Sequence, residues 1–200
     1  MPDLSLESKY SNYVIAGVDE VGRGSWAGPV VAGAVIFNQT NMIESINDSK
    51  KLTAQKRKKL SILIWELHIC AIGMASVEEI NELGINPATF LAIERALESL
   101  PNRASLALVD GNYKKKFKIS SIDVTKGDSK SLSIAAASIV AKVYRDNLMQ
   151  ELAKEFPAYG WERNAGYGTK IHIESLHKYG PCPHHRIHYK PVANAIISNS

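Results

Sequence analysis

Val14-Ile15-Ala16-Gly17-Val18-Asp19-Glu20-Val21-Gly22-Arg23-Gly24 is the stretch from which the fold is read. Val14–Val18 is apolar and β-branched, as a buried strand requires. The carboxylates Asp19 and Glu20 follow it, and then two glycines that favour a turn. Val30–Phe37 is a second apolar run, so a short connection across Gly22–Gly28 predicts a hairpin.

Outward from this hairpin, helical and strand patterns alternate. Thr53 is a good N-cap for a helix carrying Leu60, Leu63, Ile64 and Leu67 at i, i+3, i+4 and i+7. Ile69–Ala75 reads as a third strand. Ser76 and Glu79 have capping-box spacing for a short helix that ends near Gly84. Asn86-Pro87 starts another helix, with Phe90, Ile93, Leu97 and Leu100 on one face. Ala104–Val109 and Phe117–Val124 are the fourth and fifth strands. Ser131–Phe156 is a long helix whose small residues, Ala135 to Ala137, permit close packing on a sheet, and Pro157 and Gly160 end it. Thr169–Tyr179 is a last clear helix, closed by Gly180-Pro181. This order predicts an α/β protein with a mixed central sheet flanked by helices and followed by a helical tail, roughly residues 157–200. With no internal repeat or linker composition, residues 1–200 are expected to be a single domain.

Composition narrows the class. The chain has 200 residues, 45% hydrophobic and 22% charged, near globular averages, which excludes disordered, collagen-like and coiled-coil chains. No apolar run reaches 18 residues, so no membrane span is expected, and the N-terminus lacks the pattern of a signal peptide. Two cysteines far apart, Cys70 and Cys182, fit a reduced cytoplasmic protein better than a disulfide framework. Net charge is +4, a weak hint of a polyanionic partner. Its layout says more. Residues 50–59 hold six cations and no acid, and residues 112–130 hold six (Lys114, Lys115, Lys116, Lys118, Lys126, Lys130) against Asp123 and Asp128. Two such clusters favour a phosphate-binding face. Lys50, after the Asp48-Ser49 turn, is the candidate phosphate contact.

Asp19 and Glu20, Asp110 and Asp128 each follow a strand candidate, and each lies near glycine. Strand ends are where α/β sheets assemble sites. Four converging carboxylates repel one another, and a hard divalent cation relieves that repulsion. Oxygen-only ligands select Mg²⁺ or Mn²⁺ over zinc, and two such ions roughly 4 Å apart can activate water and stabilise a leaving oxygen of a phosphodiester. Neighbours on a regular strand point to opposite faces. Asp19 and Glu20 therefore share one site only if the strand ends or twists there, or if one of them supplies its backbone oxygen. Gly22-Arg23-Gly24 lets the backbone approach a ligand closely and could read a sugar 2′-hydroxyl, the group that separates RNA from DNA.

Taken in order, Gly17–Gly24, Asn47-Asp48-Ser49-Lys50-Lys51-Leu52, Asp110-Gly111-Asn112, Lys126-Gly127-Asp128, Ile134–Val143, Gly166-Tyr167-Gly168-Thr169 with His172, and His185-Arg186 closely resemble ribonuclease HII, the bacterial type 2 ribonuclease H. The matching blocks cover roughly residues 14–192. The resemblance implies an RNase H-like fold with a C-terminal helical extension. It implies an endoribonuclease that cleaves RNA in RNA–DNA hybrids and cuts 5′ to single ribonucleotides embedded in duplex DNA, leaving 3′-hydroxyl and 5′-phosphate ends, as in ribonucleotide excision repair. By the family pattern Asp19, Glu20, Asp110 and Asp128 bind divalent metal, Mn²⁺ or Mg²⁺, and are catalytic. Gly22, Arg23 and Gly24 would contact the 2′-hydroxyl, and Tyr167 would lie against the deoxyribose beyond it.

The chain departs from that pattern at His188 and Tyr189, where family members often have Ser-Phe, and at Gly168, where many have Pro. The related ribonuclease HIII carries a large N-terminal domain, and only 13 residues precede the first strand here, which favours HII. A junction resolvase on a similar fold, or a non-catalytic nucleic-acid-binding protein, are the competing readings; the second leaves the acids without a purpose. Cys182, His184, His185 and His188 match no zinc-finger spacing and read better as a loop near phosphates. Trp26 either packs under the glycine loop or touches the minor groove. With no obvious apolar surface stripe, a monomer is expected.

Overall fold

In the computed structural model β1 (Ile15–Val21) and β2 (Val30–Ile36) form the hairpin, pairing antiparallel from Gly17 opposite Val35 to Val21 opposite Val31. The structure describes residues 1–47, 49–113 and 116–198, the last without its side chain. Asp48, Lys114 and Lys115 of the sequence reading lie outside the described residues.

β2 pairs antiparallel with β3 (Ile69–Ala75), while β1 pairs parallel with β4 (Leu106–Asp110), which pairs parallel with β5 (Ser120–Val124). The sheet is mixed, in the order β3-β2-β1-β4-β5. The helices are α1 (Ser5–Ser8), α2 (Ala54–Leu67), α3 (Val77–Leu83), α4 (Ile85–Glu98), α5 (Leu132–Glu155), α6 (Trp161–Asn164), α7 (Lys170–Tyr179) and α8 (Lys190–Ser198).

The caps work as their residue types dictate. Thr53 accepts from the Lys56 amide at the start of α2. Ser76 and Glu79 close a full capping box on α3, and Thr169 accepts from the His172 amide on α7. The buried Glu7 accepts from the Ser133 amide and from the hydroxyls of Ser131 and Ser133, which places a carboxylate at the positive end of α5.

The two faces of the sheet carry different helices. Ala16 and Val18 of β1 and Ala107 and Val109 of β4 pack with Ala88, Phe90, Ala92, Ile93 and Ala96 of α4. On the other face α5 lies so close that a Cβ on Gly17 would stand 2.2 Å from the Ser133 carbonyl carbon. Gly33 has no Cβ for the same reason; one there would meet the Ala137 carbonyl oxygen at 2.6 Å. α2 packs on α5 through Leu60 and Ile64, together with Cys70 and Val35.

Four expectations need correction. α4 begins at Ile85, not at Asn86-Pro87: Gly84, at φ 82°, already turns the chain into the helix, so Pro87 lies inside its first turn. On α2 the buried stripe is Leu60, Ser61 and Ile64, and Leu63 and Leu67 are exposed, because α5 covers a narrower face than the spacing suggested. β1 does not stop at Val18; its pairing with β2 runs on to Val21, so Asp19 and Glu20 are strand residues. Finally, α8 follows the helix taken as the last. The cysteines Cys70 and Cys182 are free.

Candidate active site

Alternation along β1 decides where its two acids go. Asp19 shares the face of Gly17, toward α5; Glu20 shares the face of Ala16 and Val18, toward α4. On β4, Leu108 packs with Ile134 of α5, so Asp110 at i+2 also faces α5. Val18 is paired with Val109, which sets Asp19 and Asp110 side by side at the ends of two parallel strands. Asp128 arrives on the 3-10 turn Gly127–Ser129 just before α5. Lys126 enters that turn in the left-handed conformation, and the Gly127 amide donates to Asp110 Oδ1 at 2.7 Å.

The result is a three-carboxylate cluster: ligand oxygens of Asp19, Asp110 and Asp128 all lie within 4.8 Å of one another. Asp19 and Asp128 are buried and Asp110 is half-buried. Burial pushes the Asp19 carboxyl well above the usual carboxylate range, and the charges of Glu20 and Asp110 add to it. A hydrogen bond from the Ser138 hydroxyl and one from the Glu20 amide at 2.8 Å act the other way. Ser138 in turn lies 2.8 Å from the Ser49 hydroxyl. The donor set fits a hard divalent cation: it is all oxygen, concave and strained by its own charge. Asp19, Asp110 and Asp128 would hold such an ion.

Glu20 stands apart from this cluster. Its Oε2 accepts from the Tyr113 hydroxyl at 2.9 Å, and its Oε1 faces Arg23 Nη1 at 3.3 Å. Arg23 also donates to Asn86 Oδ1 on α4 at 2.9 Å. Lys50 Nζ lies 3.7 Å from Asp128 Oδ2, its side chain 82% exposed. The other cations divide. Arg57 donates to the carbonyls of Ser49 and Leu52, Lys118 pairs with Glu94 and Glu98, and Lys142 pairs with Asp146.

Gly22-Arg23-Gly24 leaves β1 beside the cluster. Gly22 has φ 94°, and a Cβ there would stand 2.2 Å from Arg145 Nε, so only glycine fits. Gly24 is nearest to Tyr167, whose Cε1 would be 3.8 Å from a Cβ on that glycine. The loop and Tyr167, 37% exposed, therefore form one surface. Beneath it lie two fully buried arginines. Arg145 donates to the carbonyls of Ala27, Pro29 and Ala165 and to the Ser25 hydroxyl. Arg186 donates to the carbonyls of Gly28 and Arg23. Burial lowers both guanidinium pKa values, Arg145 to about 10.

The departures in the tail have places here too. The Tyr189 hydroxyl donates to the Arg23 carbonyl, and His188 is exposed. Trp26 packs under the loop: a Cβ on Gly168 would stand 2.1 Å from its Cζ2. The indole and the missing side chain are a matched pair, which accounts for glycine at 168. Sequence reasoning missed Ser138, Arg145 and Tyr113 as parts of this region. Ser138 lies within the stretch Ile134–Val143, but nothing in its spacing marks it as a partner of Asp19.

The sequence matches the family profile described as ribonuclease HII over residues 16–192. It is 53% identical over 195 residues to the ribonuclease HII of Wolbachia sp. subsp. Brugia malayi (strain TRS), covering 97% of this chain and 96% of that protein. It is 48% identical to the ribonuclease HII of Paramagnetospirillum magneticum, covering 98% and 100%. Among solved structures it resembles the ribonuclease H2 from Pyrococcus horikoshii OT3, with a TM-score of 0.76 at 26% identity over 90% of this chain and 96% of that one.

Proposed function

The chain belongs to the ribonuclease HII family, metal-dependent endonucleases that act on RNA–DNA hybrids, and from this premise we propose that it also nicks duplex DNA on the 5′ side of a single embedded ribonucleotide, leaving 3′-hydroxyl and 5′-phosphate ends. Membership sets aside the non-catalytic reading. The observation that carries the finer one is the junction of three things at the C-terminal ends of β1 and β4: the carboxylate cluster, the glycine loop, and Tyr167 against Gly24.

Asp19, Glu20, Asp110 and Asp128 are the catalytic and metal-binding acids in this reading, the three aspartates through their clustered carboxylates and Glu20, whose carboxylate is turned to Tyr113 and Arg23, through its backbone oxygen. Divalent metal, Mg²⁺ or Mn²⁺, supplies charge neutralisation at the scissile phosphate and a water of lowered pKa. The chain's own residues do the rest. Ser138 orients Asp19, and the Gly127 amide orients Asp110. Tyr113 and Arg23 hold Glu20 beside the cluster, with a carboxylate oxygen toward each. Gly22, Arg23 and Gly24 present backbone groups to the 2′-hydroxyl, which both donates and accepts. Tyr167 stacks on the deoxyribose of the next nucleotide, where a ribose would crowd the ring. Lys50, extended into solvent beside Asp128, contacts a backbone phosphate.

Residues 1–200 act as one catalytic domain in this reading, with residues 157–200 its helical part, and as a monomer. The free thiols agree with the reducing cytoplasm as its compartment, and no helix among the described residues is long and apolar enough to cross a membrane.

A duplex with one embedded ribonucleotide tests the proposal. It is incubated with Mg²⁺ or Mn²⁺ and with chelator, beside a long RNA–DNA hybrid and all-DNA and all-RNA duplexes. The expected result is a metal-dependent nick 5′ to the ribonucleotide and none in all-DNA. Cutting of the long hybrid alone would mean that Gly22–Gly24 and Tyr167 do not read the junction. Cutting of all-DNA branched substrates instead would restore the resolvase reading.

A further inference from the structure

His172 and His185 are buried, at 0% and 1% exposure, and among the described residues no carboxylate is bonded to either. Their Nε2 atoms lie 2.9 Å apart. At that distance one nitrogen carries the proton and the other accepts it. The surroundings decide which. The Cys182 amide lies 3.0 Å from His185 Nδ1, and a backbone N–H only donates, so that nitrogen is bare. The Cys182 carbonyl, 3.3 Å from the same nitrogen, already accepts from the His185 amide. Neutral His185 therefore bears its proton on Nε2 and gives it to His172 Nε2. Trp161 Nε1, a donor only, points at the same His172 nitrogen from 3.3 Å. The proton of His172 is thus on Nδ1, where it is donated to the Tyr167 carbonyl at 3.0 Å. All four ring nitrogens are used, and only this pair of tautomers uses them.

The two ends of this chain of bonds are the two halves of the surface described above. His185 forms a β-bridge with Ala27, the His184 carbonyl accepts from Gly28, and the Arg186 amide donates to the Trp26 carbonyl. Its segment is therefore a splint along the glycine loop. At the other end, His172 grips the main chain of the residue whose ring lies against Gly24. We infer that His172 and His185 form a neutral, tautomer-locked strut that spaces Tyr167 from the glycine loop, and so are positioning residues for recognising the junction between ribose and deoxyribose. This rests on the reading of Gly22–Gly24 and Tyr167 proposed above. A strut of neutral rings suits the place. A second proton on either ring would set two N–H groups against each other, and the pair is shielded by Tyr159, Trp161 and Trp26, with Tyr159 and His184 the titratable side chains that face it.

Two measurements on the full-length protein test it. Long-range ¹⁵N–¹H correlation of the imidazoles at neutral pH is expected to show His172 protonated on Nδ1 alone and His185 on Nε2 alone. The reverse tautomers, or a charged ring, would overturn the strut. Independently, the ratio of kcat/KM for the single-ribonucleotide duplex to that for a long hybrid is measured for wild type, His172→Ala, His172→Gln and His172→Asn. Loss of positioning is expected to lower the ratio roughly tenfold to a hundredfold in His172→Ala and His172→Gln. His172→Asn, whose amide nitrogen takes the place of Nδ1, recovers part of it. An unchanged ratio in His172→Ala, with wild type preferring the embedded ribonucleotide, would sink the inference and leave the junction reading standing. Absence of that preference in wild type would sink the junction reading, and the specificity role of the strut with it. Should the variants not fold, the tautomer measurement on wild type still decides.

Discussion

Asp110→Asn should make the metal-free protein more stable and the enzyme dead. Oxygens of Asp19, Asp110 and Asp128 lie within 4.8 Å of one another. A pair of unit charges at that distance repels by about 3.5 kcal/mol at an effective dielectric of 20, and by about 0.9 kcal/mol in bulk water. Asparagine removes the charge of Asp110 from two such pairs. It keeps the bond from the Gly127 amide, because its Oδ1 takes the place of the carboxylate oxygen. Part of the repulsion is already relieved in wild type, since the carboxyl of Asp19 is pushed upward and holds its proton more firmly. A net gain of about 1–3 kcal/mol in chelator is the expectation. Urea denaturation of both proteins, in chelator and in saturating Mg²⁺, measures it, with cleavage of a hybrid assayed alongside. Wild type should gain about 2.7 kcal/mol at a hundredfold excess of metal over Kd. The variant should gain much less, so the order of stability narrows or reverses. The pH dependence has a definite sign. A folded pKa raised above the unfolded value destabilises the protein above the folded pKa and ceases to do so as pH falls through it. The gap between variant and wild type in chelator should therefore close toward acid. A variant less stable than wild type by more than about 1 kcal/mol in chelator would refute the premise that charge repulsion dominates this cluster.

Three further outcomes follow from buried groups. Burial and the neighbouring His172 lower His185 to about 3, so the unfolded chain takes up a proton that the folded one refuses. Stability is full above about pH 7 and falls by about 2 kcal/mol between pH 7 and pH 5 on account of this residue, a slope that His185→Asn should reduce in urea titrations at the two pH values. Arg145→Met leaves the carbonyls of Pro29 and Ala165 without their donor and that of Ala27 with the Ser25 hydroxyl alone, and should cost about 3 kcal/mol or more, whereas Ser25→Ala, which removes one of the four partners, should cost about 1 kcal/mol. Gly168→Ala drives a methyl into the Trp26 ring and should cost about 1–3 kcal/mol, a penalty that disappears in a Trp26→Ala background if the two residues are matched as described.

What was legible in the sequence, and what was not, divides along the range of the interactions involved. Caps, turns and strands depend on neighbours in the chain, and Thr53, Ser76 with Glu79, and Thr169 behave as their local spacing requires. The acids could be picked out because three of them stand at or just past the ends of apolar runs. The extent of β1 was not legible, because it depends on Val31 and Ala32 of β2 continuing to pair opposite Val21 and Glu20. That pairing is what sends Glu20 to the α4 face and leaves three carboxylates together on the other. The exposure of Leu63 and Leu67 on α2 is likewise a property of how much of the helix α5 covers.

The hardest residues to read were the buried polar ones beneath the glycine loop, and their chemistry explains why. A buried cation is usually sought beside an acid, as a spacing of opposite charges. Arg145 and Arg186 bond instead to main-chain carbonyls and hydroxyls, which every sequence supplies at every position. His172 and His185 bond to each other, to an indole, an amide and a carbonyl. None of these partners is a distinctive residue type at a distinctive interval. Yet Arg145, Arg186 and His172 hold the carbonyls of residues 23, 27, 28, 29, 165 and 167, with His185 bonded to His172 behind them, and so fix the backbone of both segments that would touch the ribose–deoxyribose junction. A surface that reads a single hydroxyl through backbone groups needs its main chain held rigidly, and donors that grip carbonyls from below achieve this without occupying the surface itself.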